Sequence, residues 1–143
     1  MNGVDAVCLA TGQDWRAVES AAHAYAIETG NGSYGPLTHY EIVEENNVKY
    51  FKGSLQLPLA VGTVGGCITR NPLYSTCLSL LGHPSSQELA QIINSVGLCQ
   101  NMAALRALAI EGIQKGHMRL HARAIATKSG VPDHFLDDCC KFM

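Results

Sequence analysis

The chain opens with an almost wholly apolar run, Val4 to Ala10, which stops at Thr11-Gly12-Gln13-Asp14. Beyond it Trp15, Val18, Ala22, Tyr25 and Ala26 recur at helical spacing with Arg16, Glu19, Ser20 and His23 opposite, so an amphipathic helix is expected from Trp15 to Ile27. Three glycines and a proline between Thr29 and Pro36 make the next segment a loop. The period then drops to two, with Tyr40 and Ile42 before Asn46-Asn47 and Val48, Tyr50, Leu55, Leu57 and Leu59 after it. This pattern predicts a β-hairpin turning at the two asparagines, because Asn tolerates positive φ best after Gly.

Val61-Gly62-Thr63-Val64-Gly65-Gly66 follows the second strand, and a short helix is expected from about Pro72 to Leu81, ended by Gly82-His83-Pro84. Ser85-Ser86-Gln87-Glu88 reads as a capping box, with the Ser85 hydroxyl accepting from the amide of Glu88 and the Glu88 carboxylate reaching back. It opens a long helix predicted to reach Gln114 or Lys115. The first turns of this helix are polar on one side, at Gln87, Glu88, Gln91, Asn94 and Ser95, whereas from Val96 onward apolar residues cover most directions. The second half is therefore expected to be buried all round. Within it Gln100, Ala104, Leu108, Glu111 and Lys115 lie near one line, a small or polar stripe on an apolar helix. Gly116 is expected to end the helix, a basic helix with Arg119, Arg123 and Lys128 to follow, and a short last helix to start at Val131-Pro132-Asp133. The chain has no internal repeat and no low-complexity tract.

Composition narrows the classes. At 143 residues the length suits one domain, and 47% apolar residues exclude disorder for most of it. Charged residues are only 15%, below the roughly 25% of an average soluble domain, which implies surface buried against further chain or another subunit. A formal charge of −2 offers no attraction for nucleic acid or anionic membrane. The uncharged run Gly53 to Thr69 is interrupted by Pro58 and three glycines and does not suit a membrane span. No basic region follows Met1, so a signal peptide is not expected and the chain reads as cytoplasmic. Six cysteines without a C-x-x-C pair suggest neither a zinc cage nor a disulfide scaffold. They are expected to be reduced core residues, with the adjacent Cys139 and Cys140 as the exposed exceptions.

The candidate chemistry has plain structural alternatives. The cluster Gly62 to Gly66 matches neither a dinucleotide fingerprint nor a P-loop and reads as a tight turn. His117 and His121 are four apart, but Met118-Arg119 stands where a zinc protease needs its glutamate and the helix is basic, so no metal is expected. Lys115, Arg119 and Arg123 form a cationic edge that suits phosphate groups or simply solvent. Asp14 is the preferred residue type for a helix N-cap, and Thr11 offers a second capping pattern. A catalytic Asp14 would need His117 to converge on it, as an imidazole able to donate a proton near neutral pH.

The ordered blocks Met1-Asn2-Gly3-Val4-Asp5-Ala6-Val7, Ala10-Thr11-Gly12-Gln13-Asp14-Trp15-Arg16-Ala17, Ala21-Ala22-His23-Ala24-Tyr25-Ala26, Leu57-Pro58-Leu59-Ala60-Val61-Gly62-Thr63-Val64-Gly65-Gly66, Val96-Gly97-Leu98-Cys99-Gln100-Asn101-Met102-Ala103-Ala104-Leu105-Arg106-Ala107-Leu108 and Glu111-Gly112-Ile113-Gln114-Lys115-Gly116-His117-Met118 resemble the soluble bacterial class of hydroxymethylglutaryl-coenzyme A reductase. The resemblance implies an α+β piece of that enzyme's large domain, with a long buried central helix, flanking helices, a β-hairpin and a C-terminal helical flap. Residues 1–115 would be the last part of the substrate-binding and dimerisation domain, and 116–143 a shortened flap. It implies an oxidoreductase that interconverts hydroxymethylglutaryl-CoA with mevalonate and free CoA, using NADH or NADPH.

By motif match Asp14 would set the charge state of a catalytic lysine, and His117 would protonate the departing CoA thiolate. Asn2 would hydrogen-bond within the site, and Gln100 would sit where the central helix meets the substrate. The lysine, the glutamate motif and the nicotinamide-binding domain of the family lie upstream of the matched blocks. No cofactor-binding residue is therefore assigned, and the chain by itself is expected to be inactive. The implied partners are a CoA thioester and either a second copy or a complementing N-terminal fragment. The alternative is a non-catalytic module that docks on another reductase subunit or fragment.

Overall fold

The computed structural model describes the backbone of residues 1–110 and 113–142, with side chains throughout these ranges except at 113–120 and 142. Residues Met1–Asn101 and Met102–Met143 form two compact units.

The first unit begins with the apolar run as a helix, α1 (Asn2–Ala10), which buries Val4 and Cys8 one turn apart on the same face. Gly12 ends it at φ +71°, with its amide on Leu9 O at 3.3 Å and the Gln13 amide on Cys8 O at 2.8 Å. These paired bonds form a Schellman cap, which needs the left-handed conformation that glycine adopts without strain. Thr11, buried to 1% exposure, donates its hydroxyl back to Val7 O at 2.7 Å. It therefore closes α1 and does not cap the next helix. Asp14 alone does that, its Oδ1 accepting from the Ala17 amide at 3.2 Å at the head of α2 (Trp15–Thr29). The buried positions of α2 are Val18, Ala22 and Ala26, at helical spacing as the sequence indicates.

The hairpin joins β1 (Thr38–Glu45) antiparallel to β2 (Val48–Leu55), with Asn46 and Asn47 at φ 52° and 60° in the two-residue turn. Beyond Leu55 the chain keeps its period of two without a pairing strand. Leu57, Leu59 and Val61 turn inward onto the core while residues 56, 58 and 60 stay exposed. Pro58 has no amide hydrogen to offer a ladder, and the packing of Leu57, Leu59 and Val61 keeps this arm on the core.

A five-residue helix not anticipated from the sequence, α3 (Gly66–Arg70), precedes α4 (Pro72–Leu80), which Asn71 caps through Leu73 N at 2.9 Å. The capping box forms, with Ser85 N on Glu88 Oε2 at 2.8 Å and Glu88 N on Ser85 Oγ at 3.3 Å. The Ser85 amide and the Ser85 hydroxyl, the latter at 2.8 Å, both donate to the carboxylate and hold the Glu88 pKa below its ordinary value. The box opens α5 (Ser86–Ile110), 25 residues and about 37 Å long. The core gathers Val4, Cys8, Val18, Leu78, Leu89 and Ile93 from α1, α2, α4 and α5. At Gly97 a Cβ would lie 2.7 Å from Val4 Cγ2 and 3.3 Å from Leu55 Cδ2, so glycine is what lets α1 and β2 approach α5 this closely.

Three expectations are corrected. The long helix is present, but its buried residues, Leu89 and Ile93, lie in its first half. Val96, Met102, Leu105, Leu108 and Ile110 are 37–71% exposed, because an apolar sequence states only what a helix must be covered by and does not supply the cover. Gly116 does not end a helix, since α6 (Ile113–Lys128) runs through it. Of the cysteines only Cys8 is buried; Cys67 and Cys99 are exposed and Cys77, Cys139 and Cys140 half-buried.

The second unit carries the end of α5, then α6, a 3₁₀ turn (Asp133–Phe135) and α7 (Leu136–Phe142). Among the described residues Ala122, Ala126 and Leu136 are its buried apolar positions, and Arg123 pairs with Asp137 at 2.6 Å. Of the cationic edge expected at Lys115, Arg119 and Arg123, the first two side chains lie outside the described residues and the third is engaged by that carboxylate.

Candidate functional site

Three of the four site residues expected from the sequence fall in the first unit. Asn2 is the first residue of α1 and is exposed. Beside it the Gly3 amide donates to Gln100 Oε1, so the Gln100 carboxamide holds the first turn of α1 against α5. Gln100 thus reaches the end of α1 at which Asn2 stands, one residue from its partner Gly3. Asp14 stands past the other end, about 12 Å of helical rise away. Its carboxylate is exposed, with one oxygen on the Ala17 amide. The helix macrodipole favours that negative charge at the head of α2. The His117 side chain lies outside the described residues. Of the stripe proposed on α5, Gln100, Ala104 and Leu108 are exposed, and Glu111 and Lys115 lie outside the description.

A residue that spacing rules do not single out joins this region together. The carboxamide of Gln13 accepts from the Gly62 amide at 2.9 Å and donates to Gly62 O at 2.8 Å and to Thr11 O at 3.0 Å. The glycine loop and the turn before Asp14 are therefore neighbours, although 49 residues apart in the chain. No composition signal marks Gln13. Only its place beside the capping residue drew it into a motif.

Further along α5, Asn101 Oδ1 accepts from Thr38 Oγ1 at 3.2 Å and from the Tyr40 hydroxyl at 2.9 Å, tying the hairpin to the helix next to Gln100. Tyr40 stacks on Phe51 at 5.3 Å with the rings 4° from parallel, over a Gly53 whose Cβ would meet the Tyr40 ring at 2.8 Å. Two surface clefts, of about 520 and 310 Å³, line the flank of α5 between Leu81 and Leu98, and neither includes Asn2, Asp14 or Gln100. Among the described residues, no three His, Cys, Asp or Glu side chains gather as metal ligands would, and no helix is long and apolar enough to cross a membrane.

One electrostatic anomaly lies on α1. Asp5 Oδ1 is buried without a hydrogen-bond partner, and the neighbour facing it is the carboxyl of Glu19. Burial first, then the Glu19 charge, raise the Asp5 pKa, and the Asp5 charge in turn adds to the burial that pushes the Cys8 thiol up. Two carboxylates cannot bond each other, whereas a carboxyl and a carboxylate can share one proton. A raised folded-state pKa contributes stability that is present at low pH and lost as pH climbs through it. Asp5→Asn is therefore expected to raise the melting temperature at pH 7 by a few degrees and to flatten its decline above the ordinary carboxylate range. Thermal scans from pH 4 to pH 8 check this, and a lower melting temperature at pH 7 would mean that the Asp5 charge is stabilising.

The comparisons with known proteins converge. The family model described as hydroxymethylglutaryl-coenzyme A reductase matches residues 1–122. The 3-hydroxy-3-methylglutaryl-coenzyme A reductase of Archaeoglobus fulgidus is 46% identical over the whole chain, which covers 31% of that protein. The class II reductase of Streptococcus pneumoniae, solved bound to NADPH in open conformations, superposes with a TM-score of 0.69 at 43% identity, over 98% of this chain and 33% of that one. A further structure of the Streptococcus pneumoniae enzyme gives 0.71 at 42% identity, with the same 98% covered. The chain thus spans about a third of the length of the relatives it matches.

Proposed function

Because this chain belongs to the hydroxymethylglutaryl-coenzyme A reductase family, we propose that its residues serve an oxidoreductase that interconverts hydroxymethylglutaryl-CoA with mevalonate and free CoA. The observation that carries this reading is that the matched segment, residues 1–122, contains all four expected site residues, Asn2, Asp14, Gln100 and His117. Asp14 presents an exposed carboxylate from a rigid turn, as a group that must stay ionised beside a cationic catalytic side chain would. His117 supplies the proton for the sulfur when the thioester C–S bond breaks. An imidazolium near pKa 6.5 gives its proton downhill to a thiolate near 8.5. Asn2 and Gln100 line the end of α1 where the long helix meets it.

The reduction takes two hydrides from NADH or NADPH. The described residues do not fit the cofactor: their sheet is a two-stranded antiparallel hairpin, and Gly62–Gly66 leads into the five-residue α3, so no nicotinamide contact is assigned here. The rest of that site belongs to polypeptide beyond the third matched by this chain, in the same protomer, a second copy or a complementing fragment. A chimera tests the reading. The Archaeoglobus fulgidus reductase, with its matching segment exchanged for residues 1–143, is expected to oxidise NADH or NADPH in the presence of hydroxymethylglutaryl-CoA. A folded but inactive chimera would overturn the proposal.

The second reading, a non-catalytic module that docks on another reductase subunit, is favoured by the exposed Ile42, Phe51, Met102, Leu105, Leu108 and Ile110. It predicts that the 143-residue chain binds an intact reductase without adding activity.

A further inference from the structure

We propose that Gln13 is a positioning residue, whose carboxamide latches the glycine loop 62–66 onto the turn that presents Asp14 and makes loop and cap one rigid wall. Local contacts hold the α1 side of the turn, as far as the Gln13 amide. Its Schellman bonds close α1, Thr11 is buried, and a Cβ on Gly12 would come within 2.6 Å of the Tyr74 ring, so that ring lies flat against the backbone.

The loop follows Val61, which packs on the core, and its far end is tied to its own helix, Gly65 O accepting from Thr69 N at 3.1 Å and from Thr69 Oγ1 at 3.0 Å. A Cβ built on Gly62, Gly65 or Gly66 would meet nothing within 4 Å, so side-chain packing does not hold these positions. What holds the loop at Gly62 is the pair of hydrogen bonds from Gln13, which engage both the N–H and the C=O of one residue as a strand partner would. The third bond, to Thr11 O, fixes the carboxamide itself and uses its second N–H. Glutamine supplies the acceptor and two donors that this geometry needs. A carboxylate would set negative charge against two carbonyl oxygens.

The consequence for Asp14 rests on its reading as an active-site acid, whereas the latch does not. Amide hydrogen exchange on the 143-residue chain, read by NMR, tests the latch directly. In Gln13→Ala the Gly62 amide is expected to exchange about tenfold faster and the Ala17 amide, held by Asp14, about threefold faster, in keeping with one or two lost hydrogen bonds. The Ile93 amide in the core should be unchanged.

Gln13→Glu gives a signature that packing alone cannot. Relative to the unsubstituted chain at the same pH, protection at Gly62 returns as pH falls through about 4.3, where the protonated carboxyl regains a donor. Unchanged exchange at Gly62 in Gln13→Ala would overturn the latch, and acceleration at Gly62 with Ala17 unmoved would overturn the positioning of Asp14. If Gln13→Ala speeds Ile93 as well, the Gln13→Glu profile decides, and the absence of recovery at low pH overturns the proposal. An inactive chimera, by contrast, would refute the reductase reading and leave these exchange ratios as they are.

Discussion

Asp14→Asn is expected to lower turnover of hydroxymethylglutaryl-CoA in the chimera by about 10²- to 10⁴-fold, the usual share of a positioned acid–base group, and to cost only about 0.5 kcal/mol of stability, the share of an exposed charge at a helix head. The two effects separate because Asn caps a helix as well as Asp does, its side-chain oxygen able to accept from the Ala17 amide as Oδ1 does now. What Asn lacks is the charge. Asp14→Ala provides the contrast, losing the charge and the cap together, with a stability cost of about 1 kcal/mol. Turnover and melting temperature measured on both variants check this. If Asp14→Asn turns over normally while Asp14→Ala is destabilised, Asp14 is a cap and no more.

Leu89→Ala is expected to destabilise the first unit by about 2–5 kcal/mol, the range for removing a fully buried leucine from a core that cannot collapse around the gap. Leu89 is 0% exposed and packs with Val4, Cys8, Val18, Leu78 and Ile93. A loss of that size is a large part of the roughly 5–15 kcal/mol that holds an ordinary domain together. Leu105→Ala, at a position 46% exposed on the same helix, is expected to move stability by only about 0.5 kcal/mol. Denaturant unfolding of the two variants compares the halves of α5 directly. The reverse ranking would show that the second half of α5 is covered in solution, by a second copy or by further polypeptide.

Local physics made much of this protein legible from its residues. The hairpin turn at Asn46-Asn47, the Asp14 cap, the capping box at Ser85 and Glu88, and the inward face of α2 each depend on groups within a few residues of one another, so propensity and periodicity reach them. The motif blocks carried the family by their order along the chain. The apolar run Val4 to Ala10 became a helix because Val4 and Cys8 face one core, a choice periodicity could not make for so short a segment.

What only the tertiary structure decided concerns contacts between segments far apart in the chain. Gln13 meets Gly62 across 49 residues and Gln100 meets Gly3 across 97, and no spacing rule encodes either pairing. The Asp5–Glu19 juxtaposition likewise arises where α1 packs on α2, since on the sequence Asp5 is a lone acid in an apolar run and Glu19 sits on the polar face of the next helix. Burial along α5 is the clearest case. The sequence by itself determined that the helix is apolar from Val96 onward, but its neighbours decide which turns are covered. Leu89 and Ile93 are buried because α1, α2 and α4 lie against them, while Leu105 and Leu108 remain exposed. Hydrophobicity measures the free energy gained when a surface is covered, and only three-dimensional packing determines whether it is.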